Sequence, residues 1–196
     1  MNLPNKITIS RIILSVVVLV LLILPFEKLG LAIPDIAVTA TLRINIKYII
    51  CGVLFLIGSV TDYIDGNIAR KYNMVTDFGK VMDAIADKLL VNGVLIILAC
   101  QGFINVIIPV IIISRDTMVD SIKMVAGQKK GAVGASKAGK FKTAFMMCGL
   151  TLMLFYNLPF EIWGIRVADA LIMIATVLSV YSGIEYYVKN RDVITQ

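Results

Sequence analysis

Asp62-Tyr63-Ile64-Asp65-Gly66-Asn67-Ile68-Ala69-Arg70, then eight residues, then Gly79, Asp83 and Asp87, is the stretch whose reading decides the fold. Its four carboxylates sit at the ends of apolar segments. Acids at or near membrane depth are costly and mark a function, with a partner that neutralises them. Four close together repel unless cations sit between them. An α-helix turns about 100° per residue, which puts Asp62 and Asp65 about 60° apart on one helix and Asp83 and Asp87 about 40° apart on the next. Each pair occupies one face, one turn apart. The connection from Arg70 to Gly79 is short, so the two helices can run antiparallel with their carboxylate faces meeting. Oxygen ligands without His or Cys favour magnesium, manganese or calcium. A pair of such ions about 4 Å apart suits displacement at phosphorus. Gly66, Ala69 and Gly79 offer small surfaces where a ligand or a helix can approach closely. Arg70, one turn past Gly66, is placed to contact a phosphate or to pair with an aspartate.

The surroundings are apolar. The chain has 196 residues, 59% of them hydrophobic, and a mean hydropathy of +0.89. Soluble domains average about half apolar, so the expected fold class is an all-α membrane protein, a single integral membrane catalytic domain over residues 1–196. There is no histidine, which excludes His bases, His metal ligands and Ser-His hydrolysis. Cys51, Cys100 and Cys148 stand singly in apolar runs, as small residues in a reduced or lipid setting do. Lys6, Arg11 and the apolar stretch after them lack a small-residue cleavage site and are expected to form a retained first span.

A spanning helix needs roughly 20 mostly apolar residues. Six candidate spans follow: 7–26, 48–61, 81–99, 104–125, 143–158 and 167–188, the second expected to continue as helix to about Arg70. With the N-terminus inside, fifteen Lys and Arg fall on the cytoplasmic side, and only Lys28, Arg43, Lys47 and Arg166 fall outside. The positive-inside bias therefore puts the acids and the basic segment after residue 120 on the cytoplasmic side of the cell membrane. The net charge of +6 is accounted for by that topology, not by nucleic-acid binding. The connection 27–47, with Pro34 and mixed charges, shows no chemistry, and no internal repeat supports an inverted-repeat transporter.

Other readings stand beside a metal site. The acids could cap helix ends and pair with Arg70, Lys71, Lys80 and Lys88, which suits any one of them better than all four. A divalent-cation or proton-coupled transporter could use four membrane carboxylates, but would spread them through the midplane. A scaffold protein would need no such cluster.

The pattern from Asp62 to Asp87 resembles the full signature of the CDP-alcohol phosphatidyltransferases, with every defining position filled. The resemblance implies an integral membrane enzyme with six transmembrane helices, usually a homodimer, that uses divalent metal to displace CMP from a CDP-linked lipid by an alcohol. It implies Asp62, Asp65, Asp83 and Asp87 as ligands of Mg2+ or Mn2+, two ions in all. Asp87 is also implied as the base that takes the proton of the attacking hydroxyl. Asp62, Gly66 and Arg70 are implied in holding the CDP part. A nearby metal makes the hydroxyl more acidic, so an aspartate of ordinary basicity suffices.

The signature does not name the acceptor. The opening Pro4-Asn5-Lys6-Ile7-Thr8-Ile9-Ser10-Arg11 resembles the branch of the family that uses glycerol 3-phosphate, which makes Asn5 and Thr8 candidate nucleotide contacts. Taken alone, it equally reads as a helix start capped by Asn5 or Thr8. Arg115 and Asp116 lie well inside an apolar stretch, where an arginine needs an anion, either Asp116 or a ligand phosphate. Gly139-Lys140-Phe141-Lys142-Thr143 is similar to the same branch. Arg115, Lys123, Lys137, Lys140 and Lys142 are the candidates for an acceptor phosphate. Loop charge that attracts anionic lipid heads is the bland alternative and explains Lys129 and Lys130 well. The expected reaction is phosphatidyl transfer from CDP-diacylglycerol to glycerol 3-phosphate, with an inositol phosphate as the rival acceptor. Two positions depart from relatives. Ala84 stands where many have proline, and Arg115-Asp116 where Arg-Glu is common.

Overall fold

In the computed structural model the described residues form six α-helices, two single-turn 3-10 helices and one short hairpin. Residues 3–30, 33–37, 43–72, 77–130 and 136–194 are described. The helices are α1 (Leu3–Ile23), α2 (Ile46–Lys71), α3 (Asp77–Cys100), α4 (Ile107–Lys130), α5 (Lys137–Leu154) and α6 (Val167–Ile194). Each expected apolar segment became one helix, and each helix outruns its segment at the end that carries charges. At the opposite ends α1 stops before Pro25, and Pro109 falls in the first turn of α4, where a missing N–H costs least. The connection after α1, which showed no chemistry in sequence, holds antiparallel strands β1 (Asp35–Ala37) and β2 (Arg43–Asn45) with Ile36 opposite Ile44. The side-chain amide of Asn45 donates to Asp35 Oδ1 at 3.0 Å.

Two trios make the bundle. α1 packs on α2 and α3, α6 packs on α4 and α5, and the trios meet mainly through α2 on α5 and α3 on α4. The inward stripes explain where the polar groups gather. On α1 the buried residues are Thr8, Arg11, Ser15, Val18 and Leu22, spaced by three and four as one helix face requires. On α2, Cys51 and Phe55 are buried and Asp62 follows on the same face. On α5, Lys142 begins the stripe that continues through Met146, Leu150 and Met153. Each stripe is apolar towards the hairpin end and polar at the other end. At the hairpin end, the rings of Tyr48, Phe103 and Tyr156 pack with centroids 5.2, 5.4 and 5.7 Å apart.

Large apolar side chains cover the outside as well, among them Ile13, Val20, Val177 and Ile184. Such surface is stable against lipid, not water, and the chain is membrane-associated. Among the described residues, stretches of α1 (Lys6–Ile23) and α6 (Val167–Arg191) are long and apolar enough by themselves to cross a bilayer. The other four helices give part of their length to charged residues, so only two of the six expected spans are marked by composition alone.

Gly149 lets α5 and α6 approach closely. A methyl group there would lie 2.7 Å from Ile172 Cγ1 and 3.2 Å from the Ile172 backbone nitrogen. The backbone atom cannot step aside, so Gly149→Ala is expected to destabilise the protein by about 1–3 kcal/mol. Thermal unfolding in detergent checks this; an unchanged melting temperature would contradict such close packing.

Candidate active site

Three helices bring their polar ends together around Arg11. This residue is 2% exposed on the inner face of α1. Its Nη1 donates to Asp62 Oδ1 on α2, and its Nη2 donates to Asp83 Oδ1 on α3. One guanidinium thus joins two carboxylates from different helices, as its fork of donors allows. The carboxylates are more open than the cation, with side-chain exposures of 35% for Asp62 and 45% for Asp83. Asp87 lies one turn beyond Asp83 on the same face of α3. Arg11, Asp83, Lys142 and Asp116 are the charges that act on it.

Asp87 therefore stands between two polar clusters. In the second, Asp116 Oδ1 accepts from Arg115 Nη1 at 2.7 Å. Lys142 Nζ donates to both oxygens of Asp116, at 2.7 and 2.6 Å. Arg115 Nη2 donates to Ser182 Oγ on α6 at 2.7 Å. The side chains of Arg115, Asp116 and Lys142 are 14%, 19% and 11% exposed. Two cations around one carboxylate leave an excess positive charge in a site largely shielded from water. Such a charge favours an anion.

The site residues read from the sequence divide. Asp62, Asp83 and Asp87 share one region, and Thr8 is buried one turn before Arg11. Gly66 lies one turn beyond Asp62 on α2. The side chains of Asn5, Asp65 and Arg70 lie outside the described residues. Arg115 and Lys142 come together, but Lys137 and Lys140 are exposed. Lys140 and Lys142 are two residues apart, about 200° around the helix, so the basic pattern cannot face one way. Lys123 places its Nζ 5.3 Å from the centre of the Tyr186 ring, whose hydroxyl accepts from the Ser136 backbone N–H at 3.0 Å. Ser136 Oγ in turn caps α5 by accepting from the Gly139 N–H at 3.1 Å.

Sequence reasoning missed two groups. Arg11, counted there only as a positive charge near the N-terminus and as part of the opening motif, is the partner of Asp62 and Asp83. The signal was its place with Thr8 and Ser15 on the α1 face that continues into Val18 and Leu22. Ser182 gave no signal, being one small polar residue in an apolar run. Lys88, considered as a partner of the signature acids, pairs with Asp120 on α4 instead.

Among the described residues no three His, Cys, Asp or Glu side chains gather as a ready metal cage. The donor chemistry nevertheless fits a hard divalent cation. Only oxygens are offered, and Asp62 and Asp83 already converge on one cationic group from two helices.

The family model described as CDP-alcohol phosphatidyltransferase matches residues 1–181. A CDP-diacylglycerol–glycerol-3-phosphate 3-phosphatidyltransferase of Bacillus subtilis is 37% identical over 191 residues, 97% of this chain and 96% of its own length. Proteins of the same description from Mycoplasma pneumoniae and Rickettsia bellii are similar too. The first is 34% identical over 79% of this chain and 68% of its own length. The second is 33% identical over 95% and 93%.

Removing the bridging cation leaves two carboxylates facing each other. Arg11→Ala is expected to lower stability in metal-free detergent buffer by about 1.5–3 kcal/mol, the range for hydrogen bonds to charged groups. Added magnesium should restore part of the loss by relieving the repulsion. The exposed pair offers a contrast, since Lys88→Ala should cost no more than about 1 kcal/mol. Equal melting temperatures for the two variants would show that Arg11 does not join the helices.

Proposed function

The chain belongs to the CDP-alcohol phosphatidyltransferase family, and we propose that it transfers the phosphatidyl group of CDP-diacylglycerol to glycerol 3-phosphate, giving phosphatidylglycerophosphate and CMP. The observation that carries the choice of acceptor is the excess positive charge of Arg115, Asp116 and Lys142 beside Asp87. A phosphate-bearing alcohol neutralises that charge and brings a hydroxyl towards the acids. An alcohol without a phosphate leaves it to the neighbouring Asp87 carboxylate, which the reaction needs as a base. The relatives from Bacillus, Mycoplasma and Rickettsia, whose descriptions name the same donor and acceptor, support the reading.

In this reading Arg115 and Lys142 hold the acceptor phosphate. Lys123, Lys137 and Lys140 add positive field around the start of α5. Asp87 takes the proton of the attacking hydroxyl. The hydroxyl oxygen forms the new bond to the phosphorus that carries the diacylglycerol, and the bond from that phosphorus to CMP breaks. Asn5, Thr8, Asp62, Gly66 and Arg70 hold the CDP part. Asp62, Asp65, Asp83 and Asp87 would hold two divalent ions, Mg2+ or Mn2+. Bound there, the ions would neutralise phosphate oxygens and make the hydroxyl more acidic. Arg11 keeps Asp62 and Asp83 facing one another across α2 and α3.

The proposal includes a single integral membrane domain over residues 1–196, in which all six helices span the cell membrane and the acids face the cytoplasm. The clustering of Lys and Arg at the polar ends of the helices supports that orientation. The protein is taken to work as a homodimer, as family members usually do.

The test is CMP release by purified protein in detergent, with CDP-diacylglycerol, magnesium and a panel of acceptors. Metal-dependent turnover is expected with glycerol 3-phosphate and not with inositol phosphate, and Asp83→Asn should abolish it. Asp87→Asn should lower kcat by about 10²–10⁴-fold, the usual contribution of a general base, and more if a ligand is lost too. Turnover with another alcohol alone would overturn the acceptor. No CMP from any acceptor, in folded protein, would favour a transporter.

A further inference from the structure

The proposed acceptor site draws Arg115 from α4 and Lys142 from α5, and α6 has no part in it so far. Yet α6 is the element against which Arg115 rests. Ser182 Oγ donates its proton to the Ser179 carbonyl at 3.1 Å. A hydroxyl has one proton and two lone pairs, so Ser182 meets Arg115 as an acceptor, and Nη2 is held at 2.7 Å. Asp116 holds Nη1 at the same distance. The guanidinium is pinned at two corners, by its own helix and by α6.

The next residue lets the arginine stem in. A methyl group at Gly183 would lie 2.9 Å from Arg115 Cγ, 3.7 Å from Cδ and 3.4 Å from Nε. The first distance is closer than two such carbons come, so any side chain at 183 displaces the stem. Gly183 has an ordinary helical backbone, so the need here is for close approach, not for a left-handed conformation. Beside it, Arg115 Nε and Ser179 Oγ are buried without a hydrogen-bond partner among the described residues. Buried polar atoms are rarely left unmatched. A guanidinium carries five N–H groups; one each of Nη1 and Nη2 is engaged within the protein and Nε is buried against α6, so the second N–H of Nη1 and of Nη2 remains for an anion.

We infer that Ser182 and Gly183 of α6 are positioning residues that set the reach of the Arg115 guanidinium and thereby select a phosphate-bearing acceptor. The inference rests on the acceptor site proposed above. Neither residue touches the acceptor. Ser182 fixes the direction of the fork, and the bare backbone at Gly183 fixes how far back the stem lies. Tilting or advancing the guanidinium spoils its alignment with phosphate oxygens while leaving the CDP site untouched.

The experiment is steady-state kinetics on the purified full-length protein, carrying Gly183→Ala or Ser182→Ala, varying each substrate in turn. Glycerol serves as an unphosphorylated comparison acceptor, and thermal melting is recorded alongside. The expected result is a rise in KM for glycerol 3-phosphate of about tenfold, equivalent to one charge-assisted hydrogen bond. KM for CDP-diacylglycerol should stay within about twofold, and the preference for glycerol 3-phosphate over glycerol should fall by the same factor as the acceptor KM rises. Ser182→Thr, which keeps the hydroxyl, should retain more of the acceptor affinity than Ser182→Ala. An unchanged acceptor KM in both alanine variants overturns the inference. So does a parallel worsening of both KM values with a lowered melting temperature, which is general damage to the helix contact. Arg115→Ala separates this failure from that of the acceptor site. If it raises the acceptor KM while the α6 variants do not, only the role of α6 is lost. If it leaves the acceptor KM unchanged, the acceptor site itself is wrong.

Discussion

The guanidinium of Arg11, held between Asp62 on α2 and Asp83 on α3, is the contact about which the first three helices are organised. Its cation is almost wholly buried while its carboxylates stay partly open. A buried arginine without counter-charges is far more costly than a buried pair. The three helices can therefore meet at their polar ends only in the register that brings both acids to Arg11. Away from it, ordinary apolar packing takes over, with Val18 and Leu22 on α1 continuing the stripe that Arg11 begins.

The second trio repeats the device with the opposite balance of charge. Around Arg11 two carboxylates share one cation, which leaves negative charge over. Around Asp116 two cations share one carboxylate, which leaves positive charge over. Asp87 lies within the field of both clusters. An acidic site and a basic site held side by side by separate halves of the bundle suit a reaction that joins two phosphate-bearing substrates. In the proposed reaction the negative side would take its phosphates through cations, and the positive side would take its phosphate directly. The two halves meet mainly through α2 on α5 and α3 on α4, so the spacing between the sites depends on those contacts.

Much of this was legible in the residues. The six apolar segments each became a helix, because their length and their lack of strand-like alternation suit a helix. The faces of Asp62, Asp83 and Asp87 followed from helical periodicity, since residues three or four apart must lie together. The hairpin of β1 and β2 was not legible, because three-residue strands leave too short a pattern. The basic segment before Thr143 divides by face. Proximity in sequence grouped Lys137, Lys140 and Lys142, whereas the helical turn directs only Lys142 inwards.

The sequence by itself determined the helices, the polar end of each one, the apolar surface that commits the chain to a membrane and the oxygen-only chemistry of the acids. All of these are properties of a single segment, set by composition and by the 3.6-residue turn. The tertiary structure alone decided which charges meet. Arg11 reaches Asp62 across 51 residues and Asp83 across 72. Lys142 reaches Asp116 across 26, and Arg115 reaches Ser182 across 67. Periodicity orients one helix about its own axis and says nothing of which neighbour its face will meet. That choice belongs to the packing of the whole bundle, where every buried charge must find its opposite at once.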